Sequence, residues 1–347
     1  MHTKIIATIG PKSESYETLK AMTEAGMNIA RMNFSHCTYE EYRNRKATID
    51  RINKELGTDV KIMQDLQGPR IRVGKLPQEG VTLTEGEVYT FSHGQAYDAQ
   101  ARIIPIDDPY LHADIKAGEP FYLVNGAIQL AITEVTNGNI IGTVTRGGIL
   151  FSNKGINVPM TNLSRGGLTD KDIEDVRFAL GEGVDYVALS FVQSAADIEK
   201  LRGIIGTDHK AQIIPKIERR IALDNIDEII KASDGLMVAR GDLGIEMAME
   251  DLPIVQKNLV RHAHWHSKPA IIATQMMMSM IDHQSPTRAE VSDVANAVFE
   301  GADAVMVSDE SAAGSYPVDV IATMRKIVSR IEQHIGKENY FDTNILA

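Results

Sequence analysis

The stretch QIIPKIERRIALDNIDEIIKASDGLMVARGDLG, residues 212–244, contains two short apolar runs with a helical segment between them. The runs, 212–218 and 235–239, have the composition of strands that are buried on both faces of a parallel sheet. Each run ends in charged residues, Lys216 and Glu218 in the first and Arg240 and Asp242 after the second. The pattern predicts strand-helix units of an α/β protein with polar side chains at the strand ends.

The same alternation extends along the chain in both directions. Ser15 to Gly26 is typical of a helix with its own start and stop signals, and Val291, Val294, Ala295 and Val298 have the spacing of a helix face packed on a sheet. Eight parallel strands close a (β/α)₈ barrel, so we predict a TIM barrel. Its predicted strands are 4–10, 28–34, 60–66, 184–192, 212–218, 235–239, 269–274 and 304–308.

The long interval between the third and fourth predicted strands has a different pattern. VTLTEGEVYTFS, residues 81–92, alternates as a strand does, and Asn137-Gly138 is typical of a hairpin turn. We predict a small β-barrel-like lid domain at 68–160, inserted into a discontinuous catalytic barrel formed by 1–67 and 161–347. Two chain crossings, near 68–69 and 157–159, would let the insert move over the site.

Composition restricts the partners. The net charge is −11 and the Lys and Arg residues are dispersed, which opposes nucleic-acid binding. We expect no membrane span and no secretory leader, because no sufficiently long apolar run is present. Cys37 is the single cysteine, so it cannot form an internal disulfide, and we expect it to be inert. These features predict a cytoplasmic protein.

Polar residues follow the predicted strands, at the end of the barrel where the chemistry of such folds lies. Lys216 and Glu218 are two residues apart, so on a strand both point the same way. Glu218 and Asp242 are hard oxygen ligands that suit Mg²⁺, and Lys216 beside them suits a transferring phosphoryl group. A plain salt bridge between Lys216 and Glu218 is the alternative.

Eight motifs together resemble the pyruvate kinase family over most of residues 1–330. They are KIIATIGP (4–11), NIARMNFSH (28–36), QDLQGPRIR (64–72), PKIE (215–218), GLMVARGDLG (235–244), ATQMM (273–277), PTRAEVSDVANAV (286–298) and DESAAGSYP (309–317). The resemblance implies a glycolytic, Mg²⁺-dependent phosphotransferase, with Mn²⁺ as an alternative metal. Phosphoenolpyruvate and ADP would be its substrates, and pyruvate and ATP its products.

The resemblance also implies a role for individual residues. The implied catalytic residues are Lys216, Arg31 and Thr274, with Ser308 and Glu310 in proton delivery. The implied substrate-binding residues are Arg31, Ser190, Lys216, Gly241, Asp242 and Thr274, with main-chain NH groups near Gly241 holding the substrate carboxylate. The implied nucleotide-binding residues are Asn33, His36, Arg72 and Lys154. The implied metal ligands are Glu218 and Asp242, and the implied monovalent-cation pocket comprises Asn33, Ser35, Asp65 and Leu66.

Several positions depart from the family pattern. Arg70 stands where potassium-dependent members have Glu in DTKGPEIR, so we expect Arg70 to substitute for K⁺ and K⁺ not to be required. Asn125 stands where paired acidic residues are common in the family, and SDES (308–311) replaces the usual SGET. These departures bear on nucleotide affinity and on proton delivery. Because the sequence ends at Ala347, we expect neither the C-terminal regulatory domain nor activation by sugar phosphates. A homo-oligomer could form through the barrel near 286–290.

Two other functions fit the same residues. One is an aldolase or lyase that forms an enolate at the same Mg²⁺ site without ADP. The other is a homologue that binds metabolites without catalysis. Lys154 in the insert argues against the first, and retention of Lys216, Glu218, Asp242 and Thr274 argues against the second.

Overall fold

A closed barrel of parallel strands forms the centre of the computed structural model, which describes residues 3–335. The strands are β1 Lys4–Thr8, β2 Ile29–Asn33, β3 Lys61–Asp65, β4 Tyr186–Leu189, β5 Gln212–Ile217, β6 Leu236–Ala239, β7 Ala270–Ala273 and β8 Ala304–Val307. Each strand pairs with its neighbours in chain order, and β8 closes the barrel on β1. The predicted TIM barrel is confirmed, with strand ends that differ from the predicted ones by up to three residues.

Eight longer helices surround the barrel strands. They are α1 Tyr16–Ala25, α2 Tyr39–Leu56, α3 Asp170–Glu182, α4 Ala195–Ile205, α5 Ile226–Ala232, α6 Leu252–Trp265, α7 Arg288–Phe299 and α8 Pro317–Ile335. Shorter turns of helix lie at Leu111–Asp114, Arg220–Asp224, Arg240–Leu243, Met278–Ile281 and Asp309–Ala312. Within residues 3–335, none of the helices combines the length and the apolarity that a bilayer span requires.

Local signals explain where α1 begins and ends. Ser15 accepts a hydrogen bond from the Thr18 backbone NH, and Gly26 adopts the left-handed conformation at φ 113° that ends the helix. The stripe predicted on α7 is only partly correct: Val294 and Val298 are buried, but Val291 is 38% exposed. Helical spacing predicts which face of the helix turns toward the barrel. It does not predict which residues along that face the barrel buries.

The two-residue period of a strand decides which side chains enter the barrel. On β5, Ile213 and Ile217 pack in the layer between strands and helices, whereas Ile214 packs in the barrel interior. Lys216 and Glu218 have the parity of Ile214 and therefore point inward. On β2 and β3 the interior residues are Ile29 and Met63, so Arg31 and Asp65 follow the same rule. The interior is apolar at the bottom and polar at its C-terminal mouth.

The insert folds as a second sheet with its own hydrophobic core, which includes Phe91 and Phe121. A seven-stranded sheet contains Ile71–Arg72, Gly155–Asn157, Pro120–Leu123, Ile128–Thr136, Asn139–Arg146, Val88–His93 and Ile103–Ile106, in that order, and a ribbon pairs Val81–Leu83 with Gly148–Leu150. A bridge from Val73 to Ile106 links the two edges of the sheet, so it curls as a barrel does. The hairpin at Asn137-Gly138 is confirmed. The domain boundaries at 68 and 160 remain predictions, and 336–347 lies outside the described residues.

Candidate active site at the C-terminal mouth of the barrel

A cavity of about 550 Å³ lies at the C-terminal mouth of the barrel. Most of the predicted site residues line it, although they come from distant parts of the sequence. The lining residues are Arg31, Asn33, Ser35, Asp65, Leu66, Gln67, Arg70, Ser190, Phe191, Lys216, Glu218, Ala239, Asp242, Thr274 and Met306. The structure therefore brings together most of the side chains that were predicted to form a site at the strand ends.

Lys216 is buried and is held by three acceptors. Its Nζ lies 3.1 Å from Asp65 Oδ1, 2.9 Å from Ser190 Oγ and 2.9 Å from Glu218 Oε1. Burial lowers the pKa of Lys216, but Asp65 and Glu218 outweigh that effect and keep the pKa above its usual value. Lys216 is therefore a fixed ammonium group, and the salt bridge foreseen as the alternative is part of the same arrangement.

Asp65 also holds the second cation of the cavity, Arg31. Arg31 Nε donates to Asp65 Oδ2 at 2.6 Å, and its Nη1 donates to Thr8 Oγ1 at 2.7 Å. Burial raises the pKa of Asp65, but the positive charges of Arg31 and Lys216 lower it by a larger amount, so the pKa lies below its usual value. One ionised carboxylate thus orients two cations, and the three side chains together carry a net positive charge.

Glu218 and Asp242 provide the carboxylates that a metal ion would need. Glu218 Oε2 accepts a hydrogen bond from the Phe191 backbone NH at 2.7 Å, which fixes the carboxyl group. Burial raises the pKa of Glu218 to about 7, Lys216 opposes the rise and Asp242 adds to it. A divalent cation would relieve this crowding, and oxygen donors are what Mg²⁺ prefers. The described residues contain no group of three or more His, Cys, Asp or Glu arranged to hold a metal.

Thr274 lies opposite Gly241 across the ends of β6 and β7. Its hydroxyl accepts a hydrogen bond from the Gly241 backbone NH at 2.7 Å and donates to Ala273 O at 2.6 Å. Thr274 and Gln275 have φ values of 68° and 55°, a conformation that costs energy for a β-branched residue. In this structure the Gly241 NH group donates its hydrogen bond to the Thr274 hydroxyl. A substrate carboxylate bound to this NH group would therefore replace the threonine hydroxyl as its acceptor.

Ser308 and Glu310 lie at the end of β8, beside the cavity rather than in its lining. Glu310 is fully buried, and its two oxygens accept hydrogen bonds from the backbone NH groups of Met277 and Ser308. The carboxylate joins the segment after β7 to the end of β8. Its contact with the cavity is therefore indirect, and a role of Ser308 and Glu310 in proton delivery remains a prediction.

The predicted monovalent-cation residues lie together on one side of the cavity. Asn33 Oδ1 accepts a hydrogen bond from the Ser35 NH at 3.1 Å, and Leu66 O accepts one from Ser190 Oγ at 2.6 Å. Arg70 lines the same cavity as Asn33, Ser35 and Asp65. The guanidinium group of Arg70 therefore contributes a positive charge to the cavity that these residues line.

Of the predicted nucleotide-binding residues, Asn33 lines the cavity, whereas His36, Arg72 and Lys154 lie outside its lining. His36 is exposed just after β2. Arg72 and the exposed Lys154 lie side by side in the insert, where Val73 N donates to Lys154 O at 2.9 Å and Arg72 Nη1 donates to Asn153 O at 3.1 Å. A second cavity of about 790 Å³ shares Arg70 and Asp242 with the first and includes Asn125 from the insert.

Four lining residues were not predicted: Gln67, Phe191, Ala239 and Met306. Phe191 directly follows Ser190, so the strand-end rule could have included it. Its backbone is left-handed at φ 54° and its NH group holds Glu218. No sequence pattern signals a left-handed phenylalanine, because the neighbouring strand end imposes that conformation.

Comparisons with known proteins agree with the geometry. The family model described as the barrel domain of pyruvate kinase matches residues 1–321. The pyruvate kinase of Sporosarcina psychrophila is 43% identical over 345 residues, covering 98% of this chain and 59% of the relative. That of Thermococcus litoralis is 44% identical, covering 96% and 70%, and that of Geobacillus stearothermophilus is 44% identical, covering 95% and 57%.

The chain thus spans between 57% and 70% of the length of these three curated relatives. The family model covers the whole barrel and its mouth, including every strand end that lines the cavity. On this evidence, the chain belongs to the pyruvate kinase family.

Proposed function

We propose that the chain catalyses the Mg²⁺-dependent transfer of a phosphoryl group from phosphoenolpyruvate to ADP, giving pyruvate and ATP in glycolysis. The observation that carries the proposal is the grouping of Arg31, Lys216, Glu218, Asp242 and Thr274 around one cavity. Two cations and two carboxylates at a barrel mouth suit a phosphorylated carboxylic acid bound with a metal ion.

Arg31 and Lys216 would bind the phosphoryl group of phosphoenolpyruvate. Asp65 holds both cations in place before substrate arrives, so little reorganisation is needed when charge develops. The bond between phosphorus and the enol oxygen breaks, a bond from phosphorus to a terminal oxygen of ADP forms, and the enolate of pyruvate remains. Lys216 would stabilise the enolate oxygen.

Glu218 and Asp242 would hold Mg²⁺. A bound Mg²⁺ would neutralise charge on the phosphoryl oxygens and on the enolate. The Phe191 NH group keeps the Glu218 carboxylate turned toward the cavity, while Lys216 limits its negative charge.

Thr274 would help to place a proton on the methylene carbon of the enolate. Its hydroxyl faces the cavity and is already hydrogen-bonded to the backbone, so it can orient a water molecule. Ser308 and Glu310, which lie outside the cavity lining, would act indirectly in this proton transfer.

The proposal extends to cations, partners and location. Arg70 would replace K⁺, and Asn33, His36, Arg72 and Lys154 would contact ADP. Subunits would associate through the barrel near α7, where Val291 and Phe299 are exposed. The single cysteine suits the reducing cytoplasm.

One assay tests the proposed activity. Pyruvate formation from phosphoenolpyruvate is measured with and without ADP and Mg²⁺, for the wild type and for Lys216→Ala. We expect ADP-dependent pyruvate from the wild type and a loss of roughly 10²-fold or more in the variant. A wild type that releases pyruvate and inorganic phosphate without ADP would show that the phosphoryl group goes to water and not to ADP, and one that forms no pyruvate would reject catalysis of this reaction.

A further inference from the structure

A buried arginine follows the proposed metal ligand Glu218 and connects the barrel to the insert. Arg219 is 3% exposed. Its Nη2 donates to two backbone carbonyl oxygens, those of Val158 and Thr161, each at 2.8 Å. Val158 lies in the second chain crossing, through which the insert returns to the barrel, and Thr161 lies just after it.

Gln193, after β4, reinforces the same attachment. Arg219 Nη1 donates to Gln193 Oε1 at 3.1 Å. Gln193 also exchanges two hydrogen bonds with the backbone of Leu163, both at 3.0 Å. The ends of β4 and β5 therefore hold residues 158–163 through backbone atoms of the crossing.

A buried carboxylate, Glu246, completes the network. It lies 3.6 Å from Arg219 Nε and accepts a hydrogen bond from the Arg220 NH at 3.2 Å. Asn157 lines the same small cavity as Arg219 and Glu246. Asn157 ends the strand Gly155–Asn157, which pairs with Ile71–Arg72 just past the first crossing. The hydrogen bond from Arg219 to Val158 O thus reaches the residue that directly follows this strand of the insert.

The first crossing is attached separately. Gly68 N donates to Asp172 Oδ1 at 3.1 Å, and Arg165 Nη2 donates to Pro69 O at 2.9 Å. A cavity of about 360 Å³, lined by Pro69, Val158, Arg219 and Glu246 among others, lies between the two crossings. The crossings lie side by side, and the Arg219 network holds one of them to the strand end that carries Glu218.

We propose that Arg219 and Glu246 are positioning residues that pin the second crossing, and thereby set where the insert places Arg72 and Lys154 relative to Glu218 and Asp242. The inference rests on the proposed function, because it assigns the insert to the nucleotide side of that reaction. It predicts a selective effect on substrate binding. Weakening the Arg219 network should weaken the binding of ADP, whose contacts come partly from the insert. The binding of phosphoenolpyruvate, whose contacts come from the barrel, should change little.

The orientation of the insert can be measured without any activity. Cysteines introduced at the exposed Glu134 of the insert and the exposed Glu199 of α4, in a Cys37→Ala background, carry spin labels for a pulsed dipolar distance measurement. We expect a narrow distance distribution with wild-type Arg219 and a clearly broader one with Arg219→Gln. Glu246→Gln, which keeps the shape of the side chain, should broaden it as well and serves if Arg219→Gln does not fold.

Arg220→Gln is the matched control, because Arg220 is the neighbouring arginine and its side chain pairs with Asp224 at the surface. In the kinetic arm, Arg219→Gln should raise the KM for ADP roughly tenfold or more while the KM for phosphoenolpyruvate changes less than about twofold. Equal distance distributions in Arg219→Gln, Glu246→Gln and Arg220→Gln would overturn the inference. If the wild type formed no pyruvate, the proposed function would fail, whereas the distances would still decide this inference.

Discussion

Asp65 Oδ2 lies 2.6 Å from Arg31 Nε, and its other oxygen lies 3.1 Å from Lys216 Nζ, with all three side chains buried. A single carboxylate therefore compensates two cations inside the barrel mouth. Without it, the two buried positive charges would lose the carboxylate that both of them contact. The stability of the barrel and the preorganisation of the site consequently depend on the same residue.

We predict that Asp65→Asn lowers the free energy of unfolding by about 3–5 kcal/mol, the usual cost of leaving buried charges without their partner. Urea unfolding followed by circular dichroism measures the change. Glu182→Gln is the control, because Glu182 pairs with Arg43 at the surface and such pairs contribute about 1 kcal/mol or less. Similar losses in the two variants would contradict the prediction.

Cys37 should be unreactive in the folded protein. Burial raises the pKa of its thiol to about 11, so only about one thiol in a thousand would be ionised at pH 8, and the thiolate is the reactive form. We predict that Ellman's reagent modifies Cys37 slowly in the native state and rapidly in concentrated urea. An introduced cysteine at the exposed position Glu199 provides the fast native reference, and a native Cys37 that matched its rate would refute the burial argument.

Much of the fold could be predicted because its signals are local. The alternation of residues on β5 places Lys216 and Glu218 on the face of Ile214, and the caps at Ser15 and Gly26 delimit α1. Such signals need only the neighbouring residues along the chain. They therefore identified all the barrel strands and the residues at their C-terminal ends.

The direction of individual side chains at those ends could not be predicted in the same way. Glu218 directly follows β5 and lines the cavity, whereas Glu310 lies three residues after β8 and gives both of its oxygens to backbone NH groups. The difference depends on contacts with segments far away in the sequence. Arg219 is similar: its partners lie at 158, 161 and 193, and only the folded chain brings them together.

The start of α7 should respond to acid through Glu290. Burial raises the pKa of Glu290, but hydrogen bonds from Ser279 and Thr287 outweigh it, and the pKa lies below its usual value. A carboxyl group with a lowered pKa in the folded state contributes stability above its unfolded pKa, and loses that contribution as the pH falls through the folded pKa.

We therefore predict that Glu290→Gln is less stable than the wild type near neutral pH and that the difference shrinks as the pH falls below the usual range of a carboxyl group. Free energies of unfolding measured from pH 7 to pH 3 provide the check. Glu199→Gln, on the exposed side of α4, should differ little from the wild type throughout. A Glu290→Gln deficit that stayed constant or grew in acid would show that the sign is wrong.

Arg70 should decide the need for a monovalent cation. Its side chain lines the same cavity as Asn33, Ser35 and Asp65, so its guanidinium group contributes a positive charge to that cavity. We predict that the wild type forms pyruvate at similar rates in KCl and in tetramethylammonium chloride. Arg70→Gln should lose roughly tenfold or more in the tetramethylammonium buffer, because removing one preorganised charge commonly costs at least that much, and K⁺ should restore part of the loss. Arg102→Gln, at the surface of the insert, should behave as the wild type does. Since the charge of Arg70 is fixed by the chain, a wild type that required K⁺, or an Arg70→Gln variant indifferent to it, would assign the guanidinium group to another role.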